Sequence, residues 1–246
     1  MKRNLVTWLD KKVYPGFAAN WDNTIFREMV LTYISKEKIL LDVGAGRGAL
    51  PQMNFKGLVA KVCGVDPEDA VLGNPYLDAA FVGFANNMPF FENEQFDIVT
   101  SNNVLEHIEK PESFLFEVSR VLKPGGVLIA KTPNKLHYMP VLATMLPDSL
   151  HNYYHKLKGR PAIDTFPTFY RMNSRKMIKK LARENGFEVE QIRMIEGRPE
   201  YLRINFLSYM VGIAYERLVN LFRMQDLKIV MFIVLKKKHE ADRSGS

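Results

Sequence analysis

The sequence predicts an α/β protein in which helices cover both faces of a parallel sheet. Strand and helix signals alternate from Ile39 to Lys131, as they do where helices connect parallel strands. The first strand, at residues 39–43, is an apolar run broken only by an acid, which is typical of a strand buried on both faces. The chain has 246 residues, of which 47% are hydrophobic and 25% charged, so it can bury a sizeable core.

Apolar runs bounded by turn residues give the order of the strands along the chain. Before the first strand, Asp22 or Asn23 can cap a helix whose apolar residues recur with helical spacing. The element order therefore begins with a helix and continues with strands. The seven predicted strands lie near residues 39–43, 61–66, 79–83, 96–101, 126–132, 187–195 and 227–235.

Two further helices have distinct end signals. Pro111 can occupy the first position of a helix that ends at Lys-Pro-Gly-Gly, residues 123–126, because proline is tolerated in the first turn and glycine reverses the chain. Another helix begins at Asn173 or Ser174 and ends at Asn-Gly, residues 185–186, which is typical of a left-handed cap. Both helices are short enough to connect neighbouring strands of the predicted sheet.

We predict one domain over residues 1–235. Its N-terminal cap helix lies within residues 1–37, and it contains two insertions, at residues 133–172 and 197–226. Connections of that length between secondary-structure elements usually carry function. Residues 236–246 are polar and form a predicted disordered tail.

Composition limits the surroundings and partners. The formal net charge is +7 and the pI about 9.3, which fits nucleic acid, a phosphorylated substrate or a membrane surface as partner, or a solvated basic surface. Cys63 is the only cysteine, so no disulfide forms within the chain, as is usual in a reducing cytoplasm. Residues 1–14 lack the apolar core of a secretory signal, and no apolar stretch approaches the roughly 20 residues of a spanning helix. We therefore expect a cytoplasmic location.

Asp42 and three alternate glycines, Gly44, Gly46 and Gly48, form the most informative segment. Glycines allow a sharp turn and a close approach to a ligand, and we expect a helix to start after them with its N–H groups facing that ligand. With Ala49, the segment also fits the dinucleotide pattern G-x-G-x-x-[G/A]. Asp42 favours a different ligand, since an acid repels a pyrophosphate and suits a cation. S-adenosylmethionine is such a ligand, because it carries an ammonium and a sulfonium and no phosphate.

On the acid-x-G-x-G-x-G pattern of residues 42–48, the chain resembles the class I S-adenosylmethionine-dependent methyltransferases. Asp66 at the end of the second strand carries the resemblance further, as does F-D-x-V…L-E-H at residues 96–107 followed by V-L-K-P-G-G. The resemblance covers residues 39–132 and, more weakly, 173–195. It implies a Rossmann-like, mostly parallel sheet of seven strands in which the last strand is antiparallel, and S-adenosylmethionine as the cofactor.

The resemblance also implies which residues contact the cofactor. Asp66 would accept hydrogen bonds from the ribose hydroxyls, although a strand-end acid can also cap the turn at Pro67. Phe84 stands where the family pattern G-D-A-x-x-L-P-F has its acid, so the adenine edge would be bound by Asn86, Asn87 or the backbone. Asn102 and Asn103 would line the methionine end. The complete set implied to bind S-adenosylmethionine is Asp42, Gly44, Ala45, Gly46, Gly48, Asp66, Pro67, Ala85, Asn86, Asn87, Asn102, Asn103 and Val104.

Methyl transfer is an in-line displacement at an already activated methyl group, so the protein mainly positions and desolvates the reactants. A hydroxyl acceptor benefits from a general base, and the candidates are His107, His137, His151 and His155. We take His107 of the L-E-H segment as the catalytic candidate; its alternative role is to pack on the cofactor without proton transfer. His151 and His155 have the i, i+4 spacing of a metal pair, but no third ligand is evident, so we predict no metal. The candidate acceptor-binding residues are His137, His151, His155, Tyr170 and Arg171.

The second insertion, residues 197–226, contains an unusually apolar stretch at residues 201–223. The interpretation we favour is a helix buried against the sheet edge or in a dimer interface. The alternative is an interfacial helix that contacts a membrane or a long-chain substrate. For that alternative, the basic residues Arg203, Arg217 and Arg223 suit anionic lipid.

We expect an enzyme that transfers a methyl group to oxygen of a small molecule, a glycan, a lipid-linked intermediate or a quinone-like ring. A nucleic-acid methyltransferase is an alternative suggested by the basic charge. Against it, residues 101–104 lack the N-P-P-Y-like tip of base-amino methylation, and no separate recognition module is evident. A non-catalytic cofactor-binding or scaffold protein is a third reading, and a dehydrogenase rests on the glycine loop only. The sequence leaves the oligomeric state open.

Overall fold

The computed structural model describes residues 2–18, 20–145 and 166–239. They contain one seven-stranded sheet in the order β3-β2-β1-β4-β5-β7-β6. β1 pairs in parallel with β2 and β4, and β4 pairs in parallel with β5. The last strand is antiparallel, which confirms the predicted Rossmann-like fold class. The strands are β1 (Ile39–Val43), β2 (Lys61–Asp66), β3 (Ala79–Val82), β4 (Phe96–Asn102), β5 (Leu122–Pro133), β6 (Phe187–Ile195) and β7 (Val230–Lys237).

Two of the predicted helix starts are confirmed. Pro111 is the first residue of its helix, and Ser174 caps another by accepting a hydrogen bond from the backbone of Met177. Gly186 follows that second helix with φ of +76°, the left-handed conformation that glycine adopts without strain. The described helices are α1 (Lys2–Val13), α2 (Trp21–Leu31), α3 (Pro111–Val121), α4 (Tyr138–Met145), α5 (Arg175–Glu184) and α6 (Phe206–Leu221).

Contacts divide the described residues into two compact units. The sheet unit comprises residues 22–133, 167–193 and 231–239. The helical unit comprises residues 2–18, 20–21, 134–145, 166 and 194–230. Most described residues of the two predicted insertions therefore belong with α1. The predicted single-domain boundaries stay a prediction.

Each unit has its own apolar core. In the sheet unit, Phe114, Leu115 and Val118 of α3 are fully buried, and the central strands are buried along nearly their whole length, as expected for parallel strands covered on both faces. In the helical unit, Leu9 of α1 packs with Tyr209 and Ile213 of α6. Burial of these side chains joins elements that are distant in sequence.

Two local predictions are wrong. No helix follows the glycine loop; a turn leads instead to a single 3₁₀ turn at Pro51–Met53. All three loop glycines have positive φ, which is incompatible with a right-handed helix, and Pro51 blocks helix growth back into the loop. Residues 236 and 237 of the predicted disordered tail belong to β7 instead, and Lys237 Nζ donates to the buried carbonyl of Leu122. Residues 240–246 of that tail lie outside the described residues.

Candidate functional site

Asp42 is a buried acid at the centre of the sheet. It lies in β1 opposite Thr100 of β4, and only 5% of it is exposed. The Thr100 hydroxyl donates to Asp42 Oδ1 at 2.9 Å. Burial raises the pKa of Asp42 to about 7; the Thr100 hydrogen bond opposes this rise and the charge of Asp66 adds to it. A carboxyl group in this position is stabilised in its ionised form by a nearby cation.

The glycine loop joins this acid to a second one. Gly46 donates its backbone N–H to Asp66 Oδ2 at 2.9 Å, and the backbone of Glu68 donates to Oδ1 of the same carboxylate. Gly44, Gly46 and Gly48 have φ of +75°, +51° and +76°, a left-handed conformation that favours a residue without Cβ. The two acids are thus fixed on either side of one sharp turn.

Packing explains two of these glycines in a way that the sequence interpretation did not anticipate. A Cβ on Gly44 would lie 2.2 Å from Val104 Cγ2, and one on Gly48 would lie 2.5 Å from Asn74 Oδ1. Only at Gly46 is there nothing within 4 Å. Close approach of a ligand is therefore an explanation for Gly46 alone.

Asn74 holds the loop in shape and was missed in the sequence. Its Nδ2 donates to the carbonyls of Ala45 and Gly46 at 3.0 and 3.1 Å, and its Oδ1 accepts the N–H of Tyr76. An asparagine before Pro75 is a turn signal, but nothing local indicates that its side chain reaches back almost 30 residues.

The tip of β4 presents backbone and side-chain polar groups beside this loop. Asn103 has φ of +58°, a left-handed conformation that asparagine tolerates better than most residues. Its N–H donates to the carbonyl of Lys131 at 2.8 Å. Asn102 Nδ2 donates to Asn23, whereas Asn102 Oδ1 and Ser101 Oγ are buried without a hydrogen-bond partner among the described residues. Buried polar atoms of this kind call for a partner.

Lys131 is a fully buried cation that the sequence analysis also missed. Its Nζ donates to Asp22 Oδ2 and to Asn23 Oδ1, both at 2.6 Å. Burial lowers the pKa of Lys131, and the charge of Asp22 opposes that change. The sequence does contain a sign of this buried cation, because Lys131 directly follows the apolar run at residues 127–130. A charge at the end of a buried strand needs a partner.

The L-E-H segment forms a 3₁₀ turn at Leu105–His107. His107 Nδ1 lies 3.0 Å from the carbonyl oxygen of Pro167. Because a carbonyl only accepts, this contact assigns the proton to Nδ1 and makes Nε2 the basic nitrogen of the neutral ring. The N–H groups of Phe169 and Tyr170 both donate to the carbonyl of Glu106, so the structure brings Tyr170 next to His107.

A chain of side-chain hydrogen bonds holds the 3₁₀ turn of Leu105–His107 in place. Asn173 Nδ2 donates to Thr132 Oγ1 at 2.6 Å, and Thr132 Oγ1 donates to Glu106 Oε2 at 2.9 Å. Glu106 is buried, and burial raises its pKa. Arg171, which was also predicted to bind the acceptor molecule, donates a guanidinium N–H to the carbonyl of Glu109 at 2.6 Å. Glu106 was not singled out in the sequence, although it is part of the L-E-H segment.

A family model described as "Methyltransferase domain" matches residues 23–192. The chain belongs to this methyltransferase family. Its resemblance to class I S-adenosylmethionine-dependent methyltransferases is thereby confirmed. A solved structure of an S-adenosylmethionine-dependent methyltransferase from Methanosarcina mazei has the same fold, with a TM-score of 0.56 and 18% identity over 86% of this chain and 98% of that one.

Curated relatives are ubiquinone biosynthesis O-methyltransferases. The one from Actinobacillus pleuropneumoniae serotype 7 is 30% identical over 141 residues, which is 49% of this chain and 60% of the relative. The one from Nitrosococcus oceani is 26% identical over 196 residues, which is 70% of this chain and 76% of the relative. This methyltransferase thus spans 60% of the length of the first relative.

The residues of the methyltransferase fit the cofactor that its family implies. Asp42 and Asp66 are acids on either side of the loop, and the buried oxygen atoms of Ser101 and Asn102 are acceptors without a partner among the described residues. An ammonium group supplies donors and positive charge, so the two sets of groups are complementary. When bound, S-adenosylmethionine supplies an electrophilic methyl group on its sulfonium. The individual contacts remain predictions.

The predicted adenine segment forms a tight turn after β3. Gly83 donates its N–H to the carbonyl of Asp66 at 2.9 Å, and Asn87 donates to the carbonyl of Phe84 at 3.0 Å. Asn86 and Asn87 are exposed, and Phe84 is 67% exposed. The turn therefore begins beside Asp66. Of the other predicted cofactor residues, Pro67 and Ala85 are half-buried and Val104 packs against Gly44.

Of the three histidines predicted to bind the acceptor besides His107, His137 is the one that lies within the described residues. His137 is fully buried in the helical unit. Its Nδ1 accepts the N–H of Met139, and its Nε2 lies 3.4 Å from Glu196 Oε1. Both nitrogens face internal partners, so direct contact of His137 with an acceptor is not supported. His151 and His155 lie outside the described residues. Within the described ranges, no group of three metal-ligating side chains occurs.

Proposed function

We propose that this chain transfers the methyl group of S-adenosylmethionine to an oxygen atom of a small-molecule, glycan or lipid-linked acceptor. The observation that carries the proposal is the pair of acids around the glycine loop, Asp42 and Asp66. Burial raises the pKa of Asp42, so a cationic ligand both binds there and restores the ionised carboxylate. A pyrophosphate would meet like charge instead, which argues against a dehydrogenase.

His107 is the general base in this proposal. Its Nδ1 is held by the carbonyl of Pro167, so Nε2 is the atom that takes the proton from the acceptor hydroxyl as the oxygen attacks the methyl group. Tyr170 and Arg171 lie on the segment that binds the 3₁₀ turn of His107. We infer that they contact the acceptor and that the segment excludes water from the reacting atoms.

The names of the curated relatives support oxygen as the acceptor atom and a hydroxylated, quinone-like ring as the first acceptor to test. Calorimetry with S-adenosylhomocysteine tests the cofactor site, and transfer of a labelled methyl group to a panel of catechols and phenols tests the reaction. No binding by the folded protein at high micromolar concentration would refute the proposal. Binding without transfer to any hydroxyl acceptor would favour the non-catalytic alternative.

We further propose a cytoplasmic location, with residues 201–223 in peripheral contact with a membrane. The single cysteine fits a reducing compartment. The specific observation behind membrane contact is the exposed apolar face of the helix in that segment. None of the described helices is long and apolar enough to cross a bilayer.

A further inference from the structure

Helix α6 has an apolar face that is exposed. Leu207 and Leu221, near its two ends, are 74% and 73% exposed. The face extends over about 14 residues, which is about 21 Å along a helix axis. The opposite side of α6 carries the buried residues Tyr209, Ile213 and Glu216. We call the exposed side the outer face; its residues are Leu207, Met210, Val211, Ala214, Arg217, Leu218 and Leu221.

This arrangement is the reverse of the usual surface helix, in which the exposed side is polar. A capping box between Asn205 and Ser208 fixes the start of α6, and Asp10 of α1 accepts hydrogen bonds from Tyr209 and Arg203. The helix is therefore held by polar contacts on its inner side. The outer face is not explained by packing within the described part of the helical unit.

The same unit exposes further groups of the kind that bind membrane interfaces. Trp8 of α1 is 53% exposed, and Leu5 lies one turn before it. Lys12 Nζ lies 5.0 Å from the centroid of the Trp8 ring. Tryptophan is enriched at the headgroup level of membranes, and lysine extends its charge toward the headgroups.

Charge distinguishes a lipid surface from other occupants. The described part of the helical unit contains ten basic and five acidic residues, histidines excluded. Three of the acids pair with arginines: Asp10 and Glu200 with Arg198 and Arg203, and Glu216 with Arg217. Arg217, in the middle of the outer face, has a side chain that is 60% exposed. A second copy would bring the same positive charge opposite itself, whereas anionic headgroups neutralise it.

We propose that the outer face of α6 docks on a bilayer that contains anionic lipid. The 16 residues of α6 lie in the plane of the interface, with apolar side chains among the acyl chains and basic side chains at the phosphates. Docking of this kind brings the enzyme to acceptors that partition into the bilayer. The inference rests on the proposed peripheral membrane contact of residues 201–223 and deepens it by naming the docking face and the lipid class; it uses no residue of the methyl-transfer site.

Vesicle flotation of the full chain tests the proposal. The vesicles are phosphatidylcholine alone and phosphatidylcholine mixed with phosphatidylglycerol. The apolar variant carries Leu207→Asp, Val211→Asp and Leu218→Asp, all at exposed positions. Its matched control is Phe116→Asp on α3, which is 69% exposed in the sheet unit. We expect wild type and control to float with the anionic vesicles, and the partition coefficient of the apolar variant to be lower by about a hundredfold.

A second variant tests the charge. Lys12→Gln, Arg217→Gln and Arg223→Gln together should weaken binding to anionic vesicles by about fivefold per charge, and added salt should weaken wild-type binding similarly. Calorimetry with S-adenosylhomocysteine, done without vesicles, shows that each variant is folded. It also separates failure of docking from failure of the proposed methyl-transfer site.

Three outcomes would overturn docking on anionic lipid. The apolar variant could float as well as wild type. Wild type could bind neutral and anionic vesicles equally. Sedimentation velocity could show a wild-type dimer that the apolar variant converts to a monomer, with neither protein binding vesicles; in that case a second copy covers the outer face.

Discussion

Replacing Asp42 with asparagine removes a buried charge while keeping the side-chain oxygen that Thr100 binds. The pKa of Asp42 is raised from 3.8 to about 7 by burial, so the folded protein binds this proton more tightly than the unfolded chain does. Stability therefore falls as pH rises from about 4 to about 7, and the whole loss is present above that range. The rise in pKa corresponds to a loss of about 4 kcal/mol at most.

The Asp42→Asn variant lacks this pH-dependent loss. Its free energy of unfolding relative to wild type should be higher at pH 8 than at pH 5 by about 2 to 3 kcal/mol. Urea unfolding at the two pH values measures the difference. At pH 8 the variant should also bind S-adenosylmethionine about ten- to a hundredfold more weakly, because a charged partner of the ligand has been removed. Added stability with lost affinity is the signature of a functional buried acid.

Asp69→Asn is the matched control, because Asp69 is an exposed acid of the same unit and its substitution should leave both measurements unchanged. Parallel stability profiles of wild type and Asp42→Asn between pH 5 and pH 8 would refute the reasoning about burial. An unchanged affinity for S-adenosylmethionine would refute the assignment of Asp42 as the acid that receives the cation. The two results are independent of each other.

Three further substitutions test other parts of the sheet unit. Gly44→Ala places a Cβ 2.2 Å from the side chain of Val104. Gly46→Ala meets no atom within 4 Å and carries only the positive-φ strain of about 1–2 kcal/mol. Urea unfolding should therefore show a larger loss of stability for Gly44→Ala than for Gly46→Ala. His107→Gln should lower kcat by about a hundredfold or more in methyl-transfer assays without changing the affinity for S-adenosylhomocysteine. Lys131→Met leaves Asp22 without its buried cation and should cost about 3–5 kcal/mol in urea unfolding; Lys131→Arg should recover part of it.

The sequence predicted the parts of the fold that local patterns determine. Apolar runs such as residues 39–43 become the buried central strands, since a parallel sheet covered on both faces needs continuous apolar strands. Pro111 and Ser174 marked helix starts because their preferences depend on backbone geometry alone. The prediction of a helix after the glycine loop was wrong because the local signals at that position conflict. The prediction rested on the loop as a helix start and gave too little weight to its glycines and to Pro51, which oppose a helix.

The missed site residues share a different property, which is that their partners are distant in sequence. Lys131 binds Asp22 across 109 positions, and Asn74 reaches back 29 positions to Ala45. Neither pairing leaves a periodic or local pattern, so only the tertiary structure reveals it. His137 differs from these residues, because it was predicted to bind the acceptor from its residue type alone. Its complete burial supports a packing role instead.

Buried charge is common to three site residues of the sheet unit: Asp42, Glu106 and Lys131. Burial raises the pKa of Asp42 and of Glu106 and lowers that of Lys131, so each charged form is disfavoured by the fold. At Asp42, a neutral side chain of similar shape would be less costly for stability alone. Lys131 has Asp22 and Asn23 as hydrogen-bonding partners, whereas Asp42 has only the neutral Thr100 and a repelling acid. Among the described residues Asp42 has no paired cation, and it lies at the glycine loop, where a cationic cofactor would complete the charge balance.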